Sequence, residues 1–457
     1  MLEKYFGGRD FWNAVLRLAI PIAFQNLLTS SFTLVDTIMI GQLGEVPLAA
    51  VGMAGQWSWL LNIVLFGFMS GASVFIAQYW GTKDMPGIQR TYGLLLVCAA
   101  AGGLLFMGVG LCAPGWVLGL FTQEVPVAAE GVAYLQLAAL SFPAIALNQT
   151  FTTLLRSTEQ VKLPMYVTAI SVAANAVLNA VFIFGLGMGV RGAALATAIS
   201  AWISPLVLFA VALKTRNIMI APAKRLFHWT GEFIGQFLRI SLPVLLNESL
   251  WAVGTVGYNI LYGNVDTQFY AALTIFRSIE NIGFVFFVGL CHACAVLVGK
   301  KVGSGLMREA VDDGRRFTFV AIAFSLLVGG GVIALRDVIM LAFNVSATVN
   351  AAAHTIMLCY GLELWLRNIP YILIVGVFRA GGDTRTGLKY DILCVWLLAL
   401  PLSCLGALVF KWELTTVYLV MLLAEDLPKV LLCLRRFRSR AWLMPVTDQG
   451  RQALEQQ

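Results

Sequence analysis

Charge is what this sequence has least of: 12% of its 457 residues are Asp, Glu, Lys or Arg, about half the share found in an ordinary soluble domain. With 59% hydrophobic residues and a mean hydropathy of +0.82, that scarcity excludes a soluble globular chain and points to a polytopic membrane protein. Histidine is nearly missing, at three residues, which argues against a histidine proton relay. The eight Cys all lie in apolar segments, so no loop framework of secreted-type disulfides is expected. The pair in CHAC, residues 291–294, has no second Cys/His pair at ligand spacing and reads as helix packing. HExxH, GxSxG, a Walker A loop and a Ser/His/Asp set in one leaflet are absent, so the sequence suggests neither an enzyme nor direct use of ATP.

What the sequence does have is apolar runs long enough to cross about 30 Å of hydrocarbon. There are twelve, near 13–41, 47–80, 91–120, 127–155, 163–185, 191–213, 236–263, 268–298, 317–343, 348–378, 388–410 and 414–434. No cleavable signal precedes the first, which is therefore expected to remain as a span, with MLEKYFGGRDFW lying along the interface. If the N-terminus is cytoplasmic, inner loops and helix ends hold all 31 Lys and Arg except Arg191, Arg277, Arg336, Arg367 and Lys411. The positive-inside rule then puts both termini in the cytoplasm of a cell-membrane protein. The net charge of +7 needs no nucleic-acid partner to explain it.

The runs form an internal repeat. Shifted by 222 residues, LRLAIP at 16–21 falls on LRISLP at 238–243, Gly41 on Gly263, Gly67 on Gly289 and Gly81 on Gly303. Arg156 falls on Arg379 at a shift of 223. Six spans per repeat give both halves one orientation, related by an axis along the membrane normal, as in transporters whose substrate path lies between the repeats. The expected organisation is an N-terminal six-helix lobe (1–213), a cytoplasmic linker (214–235), a C-terminal six-helix lobe (236–440) and a cytoplasmic tail (441–457).

The repeats differ in their carboxylates: Asp36 matches Tyr258, and Glu248 matches Asn26. Asp36 stands in FTLVDTIMIG, where a charge at mid-span costs roughly 2.5–3.5 kcal/mol. At about 1.5 Å per residue, Asp36, Asn179 and Thr197 all lie roughly 8–9 Å below the outer boundary, with Asn175 one turn deeper on the face of Asn179. One carboxylate, two carboxamides and a hydroxyl suit a small hard cation. The same group can hold a protonated Asp36 by hydrogen bonds, or serve as a polar clamp between helices.

Glu248, about 13 Å inside span seven, has no neutralising neighbour in sequence and reads as a residue of the substrate pathway or of coupling. Glu280 is expected to pair with Arg277, and Glu363 with Arg367, each on its own helix. Asp391 is expected to pair or snorkel near Arg385 and Lys389. Trp57, Trp59, Trp80, Trp202 and Trp251 read as interface or core residues.

VDTIMIG after LAIP, PLAAVGMA, NAVLN followed by FIFGLGMGVRGAALATAI, LVGKKVGSG and FRAGGDTR together resemble the multidrug and toxic compound extrusion (MATE) family over nearly the whole chain. The resemblance implies an all-α, V-shaped fold of twelve helices in two pseudo-symmetric lobes. It also implies a cation-coupled antiporter, without organic cofactor, that expels small organic compounds, cationic and amphiphilic ones among them, in exchange for sodium or protons. The family's first-lobe cation site maps onto Asp36, Asn175, Asn179 and Thr197, its span-one bend onto Pro21, a nearby tyrosine onto Tyr134, and a span-seven glutamate onto Glu248. NorM-like and DinF-like features are mixed. DinF-like members carry a second carboxylate where this chain has Asn179, and some NorM-type members carry an Asp where it has Asn368, which speaks against a second-lobe sodium site.

The expected partners are a small organic substrate and membrane lipid, with no nucleic acid or ATP, and the chain is expected to act as a monomer. The alternative is a lipid-linked oligosaccharide flippase of the same superfamily. Such a flippase usually has fourteen spans and a strongly cationic cavity, whereas here, away from the span ends, only Arg277 and Arg367 lie within spans, each with an acid one turn away.

Overall fold

In an apolar layer the backbone has to satisfy its own hydrogen bonds, and a helix does so within one segment. The structure, a computed structural model describing residues 5–341, 343 and 345–456, is all-α, with one isolated bridge between Gly382 and Leu443 among the described residues. Twelve helical rods follow one another: α1 (Arg9–Gly41), α2 (Glu45–Thr82), α3 (Met85–Cys112), α4 (Val125–Ser157), α5 (Lys162–Gly185), α6 (Gly189–Thr215), α7 (Gly231–Val265), α8 (Thr267–Gly303), α9 (Met307–Met340), α10 (Ala347–Phe378), α11 (Arg385–Val409) and α12 (Leu414–Arg438). A short α13 (Asp448–Glu455) follows them.

Sharp starts come from side chains that satisfy free N–H groups. Asp84 accepts from Gly87 N at 3.0 Å ahead of α3, Asp266 from Gln268 N at 2.8 Å ahead of α8, and Ser346 from Val349 N at 3.3 Å ahead of α10. The third rod ends at Cys112, before Pro114, and a separate turn Pro114–Gly119 covers the rest of the run expected to reach residue 120. Ten described helices are long and apolar enough to cross a membrane; α8 qualifies over Gly283–Gly303. The two that fall short are α7, with Asn247–Glu248, and α12, with Glu425, Asp426 and Lys429.

The chain forms two compact units, and each boundary falls inside a helix. One unit holds Phe24–Leu245, the other Met1–Ala23 with Leu246–Gln457. Both breaks come two residues after a repeat-matched proline, Pro21 in α1 and Pro243 in α7. Proline removes a hydrogen bond and crowds the preceding turn, so it marks the place where a helix can change direction.

Within each unit a glycine seats the borrowed half-helix. In the first, a Cβ on Gly67 of α2 would lie 2.6 Å from Cβ of Leu245. In the second, a Cβ on Gly289 of α8 would lie 2.8 Å from the Ala19 carbonyl oxygen and 2.9 Å from Cβ of Ala23. Gly67 and Gly289 are repeat equivalents, as are Ala23 and Leu245, so the same close approach is made twice.

The linker rests on its own unit: the short helix Ala223–Leu226 abuts Gly93 of α3, and Trp229 Nε1 donates to the Arg90 carbonyl at 3.1 Å. The tail is also docked. Trp442 is buried, stacked on Phe437 with ring centroids 5.9 Å apart, and Thr447 Oγ1 donates to the Gly303 carbonyl at 2.6 Å.

Overpacking at such contacts costs about 1–3 kcal/mol. Gly67→Val and Gly289→Val should each lower stability by about that much, whereas Gly108→Ala, with nothing within 4 Å of its Cβ, should be neutral or slightly stabilising. Thermal unfolding in detergent, followed by tryptophan fluorescence, provides the comparison; equal effects at all three positions would refute the close-approach account.

Candidate functional site

The half of α1 that lies in the first unit exposes mostly lipid-soluble side chains, Leu34, Val35 and Ile38 among them, and is held at two polar points. At one, Gln25 donates through Nε2 to Thr168 Oγ1 at 2.8 Å and accepts from Arg156 Nη2 at 2.7 Å. Between the points, Thr29, Thr33 and Thr37 bond back to carbonyls four residues earlier and need no other partner. The second point is Asp36.

Asn179 Nδ2 donates to Asp36 Oδ1 at 2.7 Å and also to Asn175 Oδ1 at 2.7 Å. Asn175 Nδ2 in turn donates to Ser200 Oγ at 3.0 Å, and Ser200 Oγ to the Thr197 carbonyl at 3.2 Å. Ser171 Oγ ties α5 to α6 through the Ser200 carbonyl at 2.6 Å. Tyr134 of α4 is buried, with its hydroxyl near Thr197 and in the field of Asp36, although Thr197 Oγ1 has no hydrogen bond of acceptable geometry. Thus Asp36, Asn175, Asn179, Thr197 and Tyr134 stand together.

Local backbone makes this possible. Asn179 is the last residue before α5 widens over Ala180–Gly185, where the bonding reaches back five residues, as in Leu186 N to Val181 O at 2.8 Å. Such widened turns often occur at functional positions. Gly187 and Gly189 then adopt φ of +63° and +58°, values that glycine reaches without a Cβ penalty, and the tight turn brings α6 back along α5. Thr197 and Ser200, one turn apart on α6, thereby come to Asn175 and Asn179.

Two buried oxygens here lack a donor, Asn179 Oδ1 and Thr197 Oγ1. Buried acceptors are nearly always paired, so an unpartnered pair beside a carboxylate is the arrangement a cation would complete. The donor set is all oxygen, which suits sodium or a proton and not a soft metal. Ser200 and Ser171 were not singled out from the sequence; their spacing to Asn175 and Asn179 follows only once the α5–α6 turn is known.

Glu248 belongs to the other compact unit. Its Oε1 meets Arg379 Nη2 at 2.6 Å, and the same nitrogen reaches Asn247 Oδ1 at 3.3 Å. Asn247 Nδ2 donates to Asp391, which takes Lys429 Nζ at 2.8 Å. Asp391 therefore pairs with α12, where Arg385 and Lys389 on its own helix had been expected. The two same-helix pairs are likewise corrected. Glu280 is met by Arg367 Nη1 at 2.8 Å, Arg277 turns to Asn259, and Glu363 is left without a donor. The helix-to-helix pair across α8 and α10 gives up little by displacing the local one, since an i, i+3 pair gains only a few tenths of a kcal/mol.

The MatE family model matches residues 21–181 and 243–405. The chain is 21% identical over 432 residues to the "Probable multidrug resistance protein NorM" of Thermotoga maritima, covering 94% of this chain and 92% of that one. A MOP superfamily transporter from Pyrococcus furiosus superposes with a TM-score of 0.86 at 19% identity, over 96% of this chain and 98% of that one. The Vibrio cholerae MATE transporter VcmN in its bent form gives 0.86 at 19% identity, over 95% and 99%. These structural likenesses establish the fold.

The corrected pairing is testable. A hydrogen bond to a charged partner is worth about 1.5–3 kcal/mol. Arg367→Gln should lose that much unfolding free energy in detergent and Arg277→Gln clearly less; the reverse order would restore the same-helix pair.

Proposed function

The chain belongs to the MatE family of efflux transporters, and on that footing we propose that it is a secondary antiporter of the cell membrane, exporting small organic compounds, cationic amphiphiles among them, in exchange for entering sodium ions or protons. One observation carries the reading: Asp36, hydrogen bonded through Asn179 to Asn175, lies beside two buried oxygens that have no donor. A cation supplied there would offset the cost of placing the carboxylate in an apolar helix.

Export follows if that occupancy differs between the states open to either side, because a ligand shifts an equilibrium only through unequal affinity for its two ends. In this reading Asp36 binds the coupling ion, Asn175, Asn179 and Thr197 complete its shell, and Tyr134 shields it. Pro21 is the hinge through which α1 answers to occupancy. Sodium and proton compete for the one carboxylate. Both termini face the cytoplasm, and the linker 214–235 joins the lobes on that side.

The reading is checked with purified protein in proteoliposomes, under sodium and proton gradients imposed separately. Wild-type protein should exchange a fluorescent organic cation against at least one of them. Asp36→Asn keeps the shape and removes the charge, so it should bind the cation but fall to the efflux level of empty vesicles under both gradients. Wild-type efflux from Asp36→Asn would make the site a polar clamp, and gradient-independent movement of a lipid-linked oligosaccharide would favour the flippase.

Glu248 is proposed to line the substrate path. Its side chain stays 26% exposed while Arg379 is 4% exposed, so one carboxylate oxygen holds the arginine and the other remains free to meet a cationic compound. Glu248→Gln should then impair cation export with protein yield near normal; a fall in yield matching the fall in export would make the pair purely structural.

A further inference from the structure

A second group of buried acids stands where α10 meets α12, apart from the Asp36 set. Glu363 is 3% exposed and Asp426 4%, and their carboxyl groups lie within hydrogen-bonding reach of one another. Among the described residues, neither oxygen of Glu363 has a donor. Ionised carboxylates only accept, so two of them in contact would set acceptor against acceptor and like charge against like charge in a layer that screens poorly.

The neighbouring cations are engaged elsewhere. Arg367, one turn from Glu363 on α10, gives Nη1 to Glu280 at 2.8 Å. Lys429, one turn from Asp426 on α12, divides its ammonium between Asp391 at 2.8 Å and Glu425 at 3.1 Å. The remaining titratable groups that face the pair are the phenols Tyr258 from α7, Tyr360 from α10 and Tyr418 from α12, and the thiols of Cys394 from α11 and Cys433 from α12. Between Arg316 and Arg336, α9 brings no charged residue to α10. Five carboxyl groups, those of Glu280, Glu363, Asp391, Glu425 and Asp426, therefore share the cations of Arg367 and Lys429.

We propose that Glu363 and Asp426 bind one shared proton, making the α10–α12 contact a proton site separate from Asp36. One carboxyl group keeps its hydrogen and donates it to the other, which stays ionised, so the missing donor is supplied and one of the two like charges is removed. The proton comes from water and returns to it, and no other bond is made or broken. Because two interacting carboxyls titrate as a unit, the proton belongs to the pair. The assignment concerns binding alone and does not rest on the antiporter reading.

Infrared spectroscopy of the full-length protein in lipid vesicles tests it. At neutral pH the wild-type protein should show the carbonyl stretch of one protonated carboxylic acid that is missing from E363Q. D426N should lose the same band, since either amide becomes the donor and lets the surviving acid ionise. The double variant should lose nothing more, and the Asp36→Asn protein should retain the band. Unchanged carboxylic-acid absorption in both single variants, or bleaching of the wild-type band by added sodium chloride, would overturn the proposal, the latter in favour of a metal ion. Should E363Q not fold, D426N alone decides. Failure here would leave Asp36-dependent efflux intact, and loss of that efflux in the Asp36 variant would leave this band in place.

Discussion

A charge placed in an apolar layer must be met by another group, and nearly everything specific in this molecule follows from how that demand is satisfied. The bulk of each helix is interchangeable oil-soluble surface. What fixes one helix against another is a short series of polar meetings: Gln25 with Arg156 and Thr168, Asp36 with Asn179, Glu248 with Arg379, Glu280 with Arg367, and Asp391 with Lys429. Burying both members of an ion pair yields little net stability against an apolar alternative, yet leaving one alone is costly. Such pairs therefore act mainly as registers, selecting one arrangement among many that would bury similar apolar area.

The two compact units use this device differently. Where α1, α5 and α6 of the first meet, one carboxylate stands among neutral donors and acceptors, and two oxygens there have no partner among the described residues. The second is crowded with charges of both signs that run from Glu248 through Arg379, Asn247 and Asp391 to Lys429. One half of a duplicated sequence sets a single carboxylate deep among its helices while the other carries a network of ion pairs.

Most of the fold was legible because its signal is additive: twenty apolar residues in a row speak for themselves, and matched Pro and Gly betray the repeat. The Asp36 set was legible for a narrower reason. Its members lie on neighbouring helices joined by one tight turn, or at equal depth from the same boundary, so rise per residue was enough to group them. The second unit resisted the same treatment. Arg367 sits four residues from Glu363 and Arg277 three from Glu280, and sequence distance favoured those local partners, but the rotation of α8 against α10 decides the matter and is not written in spacing. The partners of Ser200, Arg379 and Asp426 were missed because each lies on a different rod.

The splitting of α1 and α7 between units has a consequence for how the protein came about and how it is made. Residues before Phe24 pack with a body whose remaining part begins at Leu246, so this half-helix, once synthesised, waits for more than two hundred residues before its partners exist. No stretch of six consecutive helices is complete in itself. An ancestral single repeat would have lacked a seat for its own leading half-helix unless a second copy supplied one, each lending that segment to the other. Gene fusion would then have turned a reciprocal loan between two chains into a feature of one, with Gly67 and Gly289 as the two surviving berths.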